Sequence, residues 1–144
     1  MTERLEKTSK ILLIMGQHLN INSKLKKSLD NFLEIFNILI LSDNLCNYKC
    51  KNTIFAEGVI KGLDSETIES FLPEIIISFG CNFQERIKDL FRFHQKKYEH
   101  WSIEADGIIK DVFRSQTALF DCKSNVFLKI LSMNLKRIKW IMDI

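Results

Sequence analysis

Proline occurs once and glycine five times in these 144 residues. That scarcity excludes collagen-like and low-complexity architectures, and no Pro/Gly-rich stretch marks a linker between domains. No internal repeat is present, so solenoids and propellers are excluded as well. Long apolar runs are also missing: the longest candidate, Ile38 to Leu41 with its flanks, falls far short of the roughly 18 residues that a membrane-spanning helix needs. A membrane location is therefore not expected. The formal net charge is only +3, and no block of five or six like charges occurs. Nucleic acid is accordingly not an expected partner, and the runs Lys24 to Lys27 and Lys136 to Lys139 read as solvated helix faces. The charged N-terminus lacks a signal-peptide core, which points to the cytoplasm. In that compartment Cys46, Cys50, Cys81 and Cys122 are expected to remain reduced thiols.

What is present suits one compact domain with a sizeable core. Hydrophobic residues make up 46% and charged residues 27% of the chain. Short apolar runs alternate with helical patterns, the signature of βαβ units. Ile11 to Met15 is a continuous apolar run ended by Gly16, as expected of a strand buried on both faces. Apolar residues then recur at Ile21, Leu25, Leu29, Phe32, Leu33 and Phe36, the spacing of one helix face. Ile38 to Leu41 predicts a second strand, and Cys46 to Asn52 a loop. Phe55 to Lys61 predicts a short helix, and Ser65 to Leu72 another, capped by Asp64 or Ser65 and stopped by Pro73. Glu74 to Phe79 holds three consecutive isoleucines before Gly80 and predicts a core strand. A helix over Phe83 to Phe93, a strand at His100 to Ile103, a turn at Ala105 to Gly107, a strand near Ala118 to Phe120 and a helix from Ser124 complete the pattern. The expectation is a Rossmann-like α/β domain of three layers with a mainly parallel sheet of about six strands. Its core spans residues 8–131, and residues 132–144 form a helix or tail.

Chemical motifs are few. The first strand-to-helix turn, Met15-Gly-Gln-His-Leu-Asn20, carries one glycine where the dinucleotide fingerprint needs three, and Phe79-Gly-Cys-Asn82 likewise carries one. Cys46-x-x-x-Cys50 lacks the second close pair of a structural zinc site. His18, His94 and His100 show no metal-ligand spacing, and no nucleophile motif accompanies them. His18 alone stands at a strand's C-terminal end, where ligands of open α/β sheets bind. His100, beside Trp101, reads as structural. Asp106, Asp111 and Asp121 fall in or near turns, where aspartate commonly caps backbone groups.

Several segments, in order, resemble the central domain of one family. These are Lys10-Ile-Leu-Leu-Ile-Met-Gly-Gln17, Leu41-Ser-Asp-Asn-Leu45, Leu72-Pro-Glu-Ile-Ile-Ile-Ser-Phe-Gly80, and Glu99-His-Trp-Ser-Ile-Glu-Ala-Asp-Gly107 followed by Asp111 and Phe113, with Phe127-Leu128 in the closing helix. The family is that of the 2-succinyl-5-enolpyruvyl-6-hydroxy-3-cyclohexene-1-carboxylate synthases of menaquinone biosynthesis, the thiamine-diphosphate enzymes called MenD. The resemblance covers roughly residues 8–131. It implies a six-stranded parallel sheet and a mainly architectural role beside N-terminal and C-terminal domains in a homo-oligomer. Those domains hold thiamine diphosphate and Mg through an activating Glu and a Gly-Asp-Gly motif, neither of which is found here. The cofactor supplies the difficult chemistry, which decarboxylates 2-oxoglutarate and adds the carbanion equivalent to isochorismate.

The family's central domain also contributes a Lys-Arg pair to anionic substrate, at the start of the helix after the Phe-Gly strand. The corresponding stretch is Gln84-Glu-Arg-Ile-Lys88. Arg86 matches one basic position, while its partner falls on Glu85 or Ile87. Arg86 and Lys88 are thus the candidate substrate-binding residues, with a helix-surface ion pair as the alternative role of Arg86. By itself the chain carries no catalytic residue, cofactor site or metal site in this reading. The competing expectation is an independent small-ligand or nucleotide module that uses the turns at Gly16 to Asn20 and Gly80 to Asn82.

Overall fold

The computed structural model describes residues 1–17, 21–36, 38–42, 44–80 and 82–134. His18, Asn20, Cys81 and the run Lys136 to Lys139 therefore lie outside the described residues. Six strands form one sheet: β1 (Ile11–Met15), β2 (Leu39–Ser42), β3 (Thr53–Phe55), β4 (Ile75–Phe79), β5 (Glu99–Ile103) and β6 (Gln116–Phe120). Their order is β3-β2-β1-β4-β5-β6, and every pairing is parallel. The domain is thus the Rossmann-like α/β fold expected from the alternating pattern. β1 and β4 lie at the centre because their apolar side chains are covered on both faces, as a parallel sheet requires.

Side-chain alternation divides the sheet into two faces. On the first, Leu13, Met15, Ile75, Ile77, Phe79, Trp101 and Ile103 pack under two helices, α2 (Ser23–Ile35) and α6 (Ser124–Asn134). Asn22 starts α2 by accepting the Leu25 N–H on Oδ1 at 2.9 Å. Leu25, Leu29 and Phe32 then return to the sheet every three or four residues, and Phe127, Leu128 and Leu131 do the same from α6. A short N-terminal helix, α1 (Thr2–Glu6), adds Leu5 to this core, and Arg4 Nε meets Glu99 Oε1 at 2.6 Å.

The second face is covered by α5 (Glu85–Phe93), through Ile87 and Phe91, and by Ala56 of α3 (Ala56–Gly62). The following helix, α4 (Ser65–Phe71), is capped by Asp64, whose Oδ1 accepts the Thr67 N–H at 2.7 Å, and it buries no residue. No helix joins β5 to β6. Residues 104–115 make that crossover as turns and irregular chain, and Phe113, fully buried, fills the helix's place. Its ring packs at centroid distances of 5.3 Å from Phe83, 5.5 Å from Phe91 and 4.9 Å from His100. Asp111 and Arg114 adopt left-handed φ of 33° and 54°, and Asp111 Oδ1 accepts the N–H groups of Ser115 and Gln116, each at 2.9 Å. The carboxylate thereby holds a bend that L-residues disfavour.

Two elements depart from the sequence expectation. Phe55, expected to open a helix, is instead the last residue of β3, an edge strand too short to show periodicity. The N-terminal residues form α1, an element the sequence pattern did not announce. Elsewhere the boundaries move by one to two residues, within ordinary helix and strand fraying. Among the described residues, no helix is long and apolar enough to cross a membrane.

Candidate functional site

Ligands of open parallel sheets bind beyond the C-terminal strand ends, where the strand order reverses. Here that point lies between β1 and β4, and hydrogen bonds among the described residues bridge it. The Gly16 N–H donates to the Phe79 carbonyl at 3.0 Å, and the Gln17 N–H donates to the Asn82 carbonyl at 3.1 Å. Asn82 Nδ2 adds a bond to Gln17 Oε1 at 3.1 Å. The sharp exit from β4 uses left-handed φ at Gly80 (98°) and Asn82 (40°), values that glycine and asparagine tolerate best. These contacts prolong the β1–β4 ladder past the strands, so the Gly16 and Gln17 amides that would face a pyrophosphate already have protein acceptors.

The opening in the second face lies one strand over. A cavity of about 330 Å³ sits past the ends of β4 and β5, lined by Gly80, Asn82, Phe83, Lys88, Glu104, Lys110 and Val112. Each charged group in it is anchored. Lys88 Nζ meets Glu85 Oε2 at 2.9 Å, and its side chain is only 22% exposed, low for a lysine. Lys110 Nζ meets Glu104 Oε2 at 2.7 Å and Asp106 Oδ2 at 3.3 Å. Glu104 Oε1 in turn accepts from Ser102 Oγ at 3.3 Å. The Glu104 hydrogen bond raises the Lys110 ammonium pKa above its ordinary range. Bonds from Lys88 and Arg92 hold the exposed Glu85 carboxyl below the ordinary range. Arg92 also donates from Nε to the Val112 carbonyl at 2.9 Å, tying α5 to the 104–115 segment.

The two candidate substrate residues are not brought together. Residues two apart in an α-helix project roughly 200° apart. Lys88 accordingly lines the cavity, while Arg86 is exposed and its charge acts on Glu57 of α3, whose carboxyl is lowered mainly by Lys61 and less by Arg86.

A buried polar pair links β4 to β5. Ser78 Oγ and His100 Nε2 are 2.7 Å apart, with only 2% and 1% of these residues exposed. His100 Nδ1 has no hydrogen-bond partner among the described residues. Burial lowers the His100 pKa to about 4, against a smaller upward pull from Asp111. A serine beside a neutral imidazole has the components of a nucleophile and base. Burial under Phe113 gives it no access to a reacting carbonyl, and its role is structural.

The remaining candidates are dispersed. His94 is buried at the end of α5, ring to ring with Phe93. Cys46 is buried, Cys50 and Cys122 are half-buried thiols, and Cys50 Sγ lies 3.4 Å from Thr53 Oγ1. Asp106 Oδ1 accepts the Ile108 N–H at 3.1 Å, the turn role expected of it. Among the described residues no three His, Cys, Asp or Glu side chains are grouped to hold a metal ion. Glu104 and Lys110 escaped the sequence reading because they meet in an irregular segment, where no periodicity brings residues six apart together.

No protein-family description matches this chain, and no curated protein matches it at a significant level.

Proposed function

We propose that this chain is the central domain of a thiamine-diphosphate-dependent synthase of the MenD type, and that its role there is mainly architectural. The observation that carries the reading is the placement of the resembling segments. In chain order they fall on β1 and its exit turn, the exit of β2, β4 and its exit turn, β5 with the Asp-x-Phe bend at 111–113, and α6. Each recurs at a strand end or buried anchor, where a family pattern has a physical reason to persist: Phe113 is fully buried, and Gly80 takes a conformation that glycine favours. The six parallel strands are the architecture that the resemblance implies.

In this reading the N-terminal and C-terminal domains of a cytoplasmic homo-oligomer hold thiamine diphosphate and Mg, the cofactor that carries the carbon chemistry. This chain spaces those domains and offers Arg86 to a substrate carboxylate by charge-assisted hydrogen bonding. Lys88, on the other side of α5, does not share that contact.

The test is assembly. Joined to its thiamine-binding domains, the chain is expected to support thiamine-dependent consumption of 2-oxoglutarate in the presence of isochorismate. A folded, cofactor-loaded assembly that leaves 2-oxoglutarate untouched overturns the proposal.

A further inference from the structure

We infer that the cavity between α5 and the 104–115 segment is a binding site for a small hydroxylated organic anion, held between the ammonium groups of Lys88 and Lys110. This goes beyond the synthase reading, since it concerns the chain alone and stands or falls without it.

The first support is the composition of the walls. Lys88 and Lys110 reach the same concave surface from different elements, α5 and the irregular crossover. Each is steadied by a carboxylate, Glu85 or Glu104, so little rotamer freedom is lost on binding. An ammonium carries three donors. Among the described contacts Lys88 uses one and Lys110 two, which leaves N–H groups for a carboxylate or phosphate oxygen.

The second support is selectivity. Glu104 sits in the wall with its side chain only 12% exposed. A bare dianion close to it would meet repulsion, whereas a hydroxyl next to the anionic group can donate to it. Phe83 and Val112 form an apolar side that suits a short carbon skeleton. At about 330 Å³ the cavity lies at the small end of ligand sites, room for a compact acid and not for a dinucleotide.

The test uses the full 144-residue chain, with amide chemical shifts followed by NMR at constant ionic strength. The probes are inorganic phosphate, isovalerate and 2-hydroxyisovalerate. Saturable shifts confined to the amides of Gly80, Asn82, Phe83, Lys88, Glu104, Lys110 and Val112 are expected, with 2-hydroxyisovalerate binding more tightly than isovalerate. Lys88→Gln is expected to weaken binding roughly tenfold, the effect of one charge-assisted hydrogen bond. Lys129→Gln, on the exposed side of α6, leaves it unchanged. Lys110→Gln should act like Lys88→Gln; if stranding Glu104 unfolds that variant, Lys88→Gln carries the test, because its partner Glu85 is exposed. Absence of saturable shifts up to millimolar probe, or binding indifferent to Lys88→Gln, overturns the inference.

Discussion

The two faces of the sheet are built on different principles. The first is closed by α2 and α6 and is almost wholly apolar, from Leu13 and Met15 across to Trp101 and Phe127. The second has a helix over its middle but only irregular chain over β5 and β6. There His100, Ser102 and Glu104 follow one another toward the C-terminal edge, with Ser78 of β4 level with Ser102. Regular helices seal a parallel sheet because they satisfy their own backbone groups while offering an apolar stripe. An irregular crossover must find partners for its amides in side chains such as Asp111, and so leaves room and polarity beside it. One face holds the molecule together; the other can be adapted to a ligand.

Several substitutions break or sharpen that contrast. The largest effect is expected at Phe32, 1% exposed in the first core: Phe32→Ala should cost about 3–5 kcal/mol in equilibrium denaturation. Phe113→Ala removes an equally buried ring and should cost about 3 kcal/mol. In this case hydrogen exchange should accelerate in 104–115 before it does in β1 or β4. Equal acceleration everywhere would mean that both faces unfold as one unit.

Acid should act on the second face through His100. Its native pKa, about 4, lies below the ordinary value of 6.5, so between these limits the unfolded chain binds the extra proton. Stability from the neutral imidazole is complete above about pH 6.5 and falls toward pH 4, by up to about 3 kcal/mol. Denaturation midpoints across this range should show the slope, and His100→Phe should flatten it. Smaller effects follow. In an assembled synthase, Arg86→Ala should raise the KM for the anionic substrate roughly tenfold, with kcat little changed. Asn82→Gly keeps the left-handed backbone and the backbone bond from Gln17 but deletes the side-chain bond to Gln17, and should cost about 1 kcal/mol in thermal unfolding.

Where an element's own residues supply its reason, it was legible in advance. β1 and β4 announced themselves as apolar runs ended by glycine, and Asp64 and Pro73 bounded α4 as their chemistry requires. β3 did not, since a three-residue strand gains its identity from pairing with β2 rather than from periodicity. The cavity was half legible. Lys88 stands on a recognisable helix, whereas Lys110 and Glu104 are joined by the path of an irregular crossover that no local pattern encodes. By resemblance Arg86 and Lys88 stand together as the candidate substrate-binding residues, although two-residue spacing in the helix expected over Phe83 to Phe93 puts them on opposite sides. Only that spacing, and no tertiary detail, was needed to separate them.

The strand order carries a consequence for how the chain reaches this state. Residues 11–55 contain all of β1, β2 and β3, and residues 75–120 all of β4, β5 and β6, so each half-sheet is contiguous in sequence. The seam that joins them pairs Ile11 with Ile75, across more than sixty residues of chain. During synthesis the first half is finished while β4 is still to come, and β1 waits with an open, greasy edge. Folding is then a docking of two halves through their least soluble strands, and anything that delays β4 exposes the nascent chain to aggregation at β1.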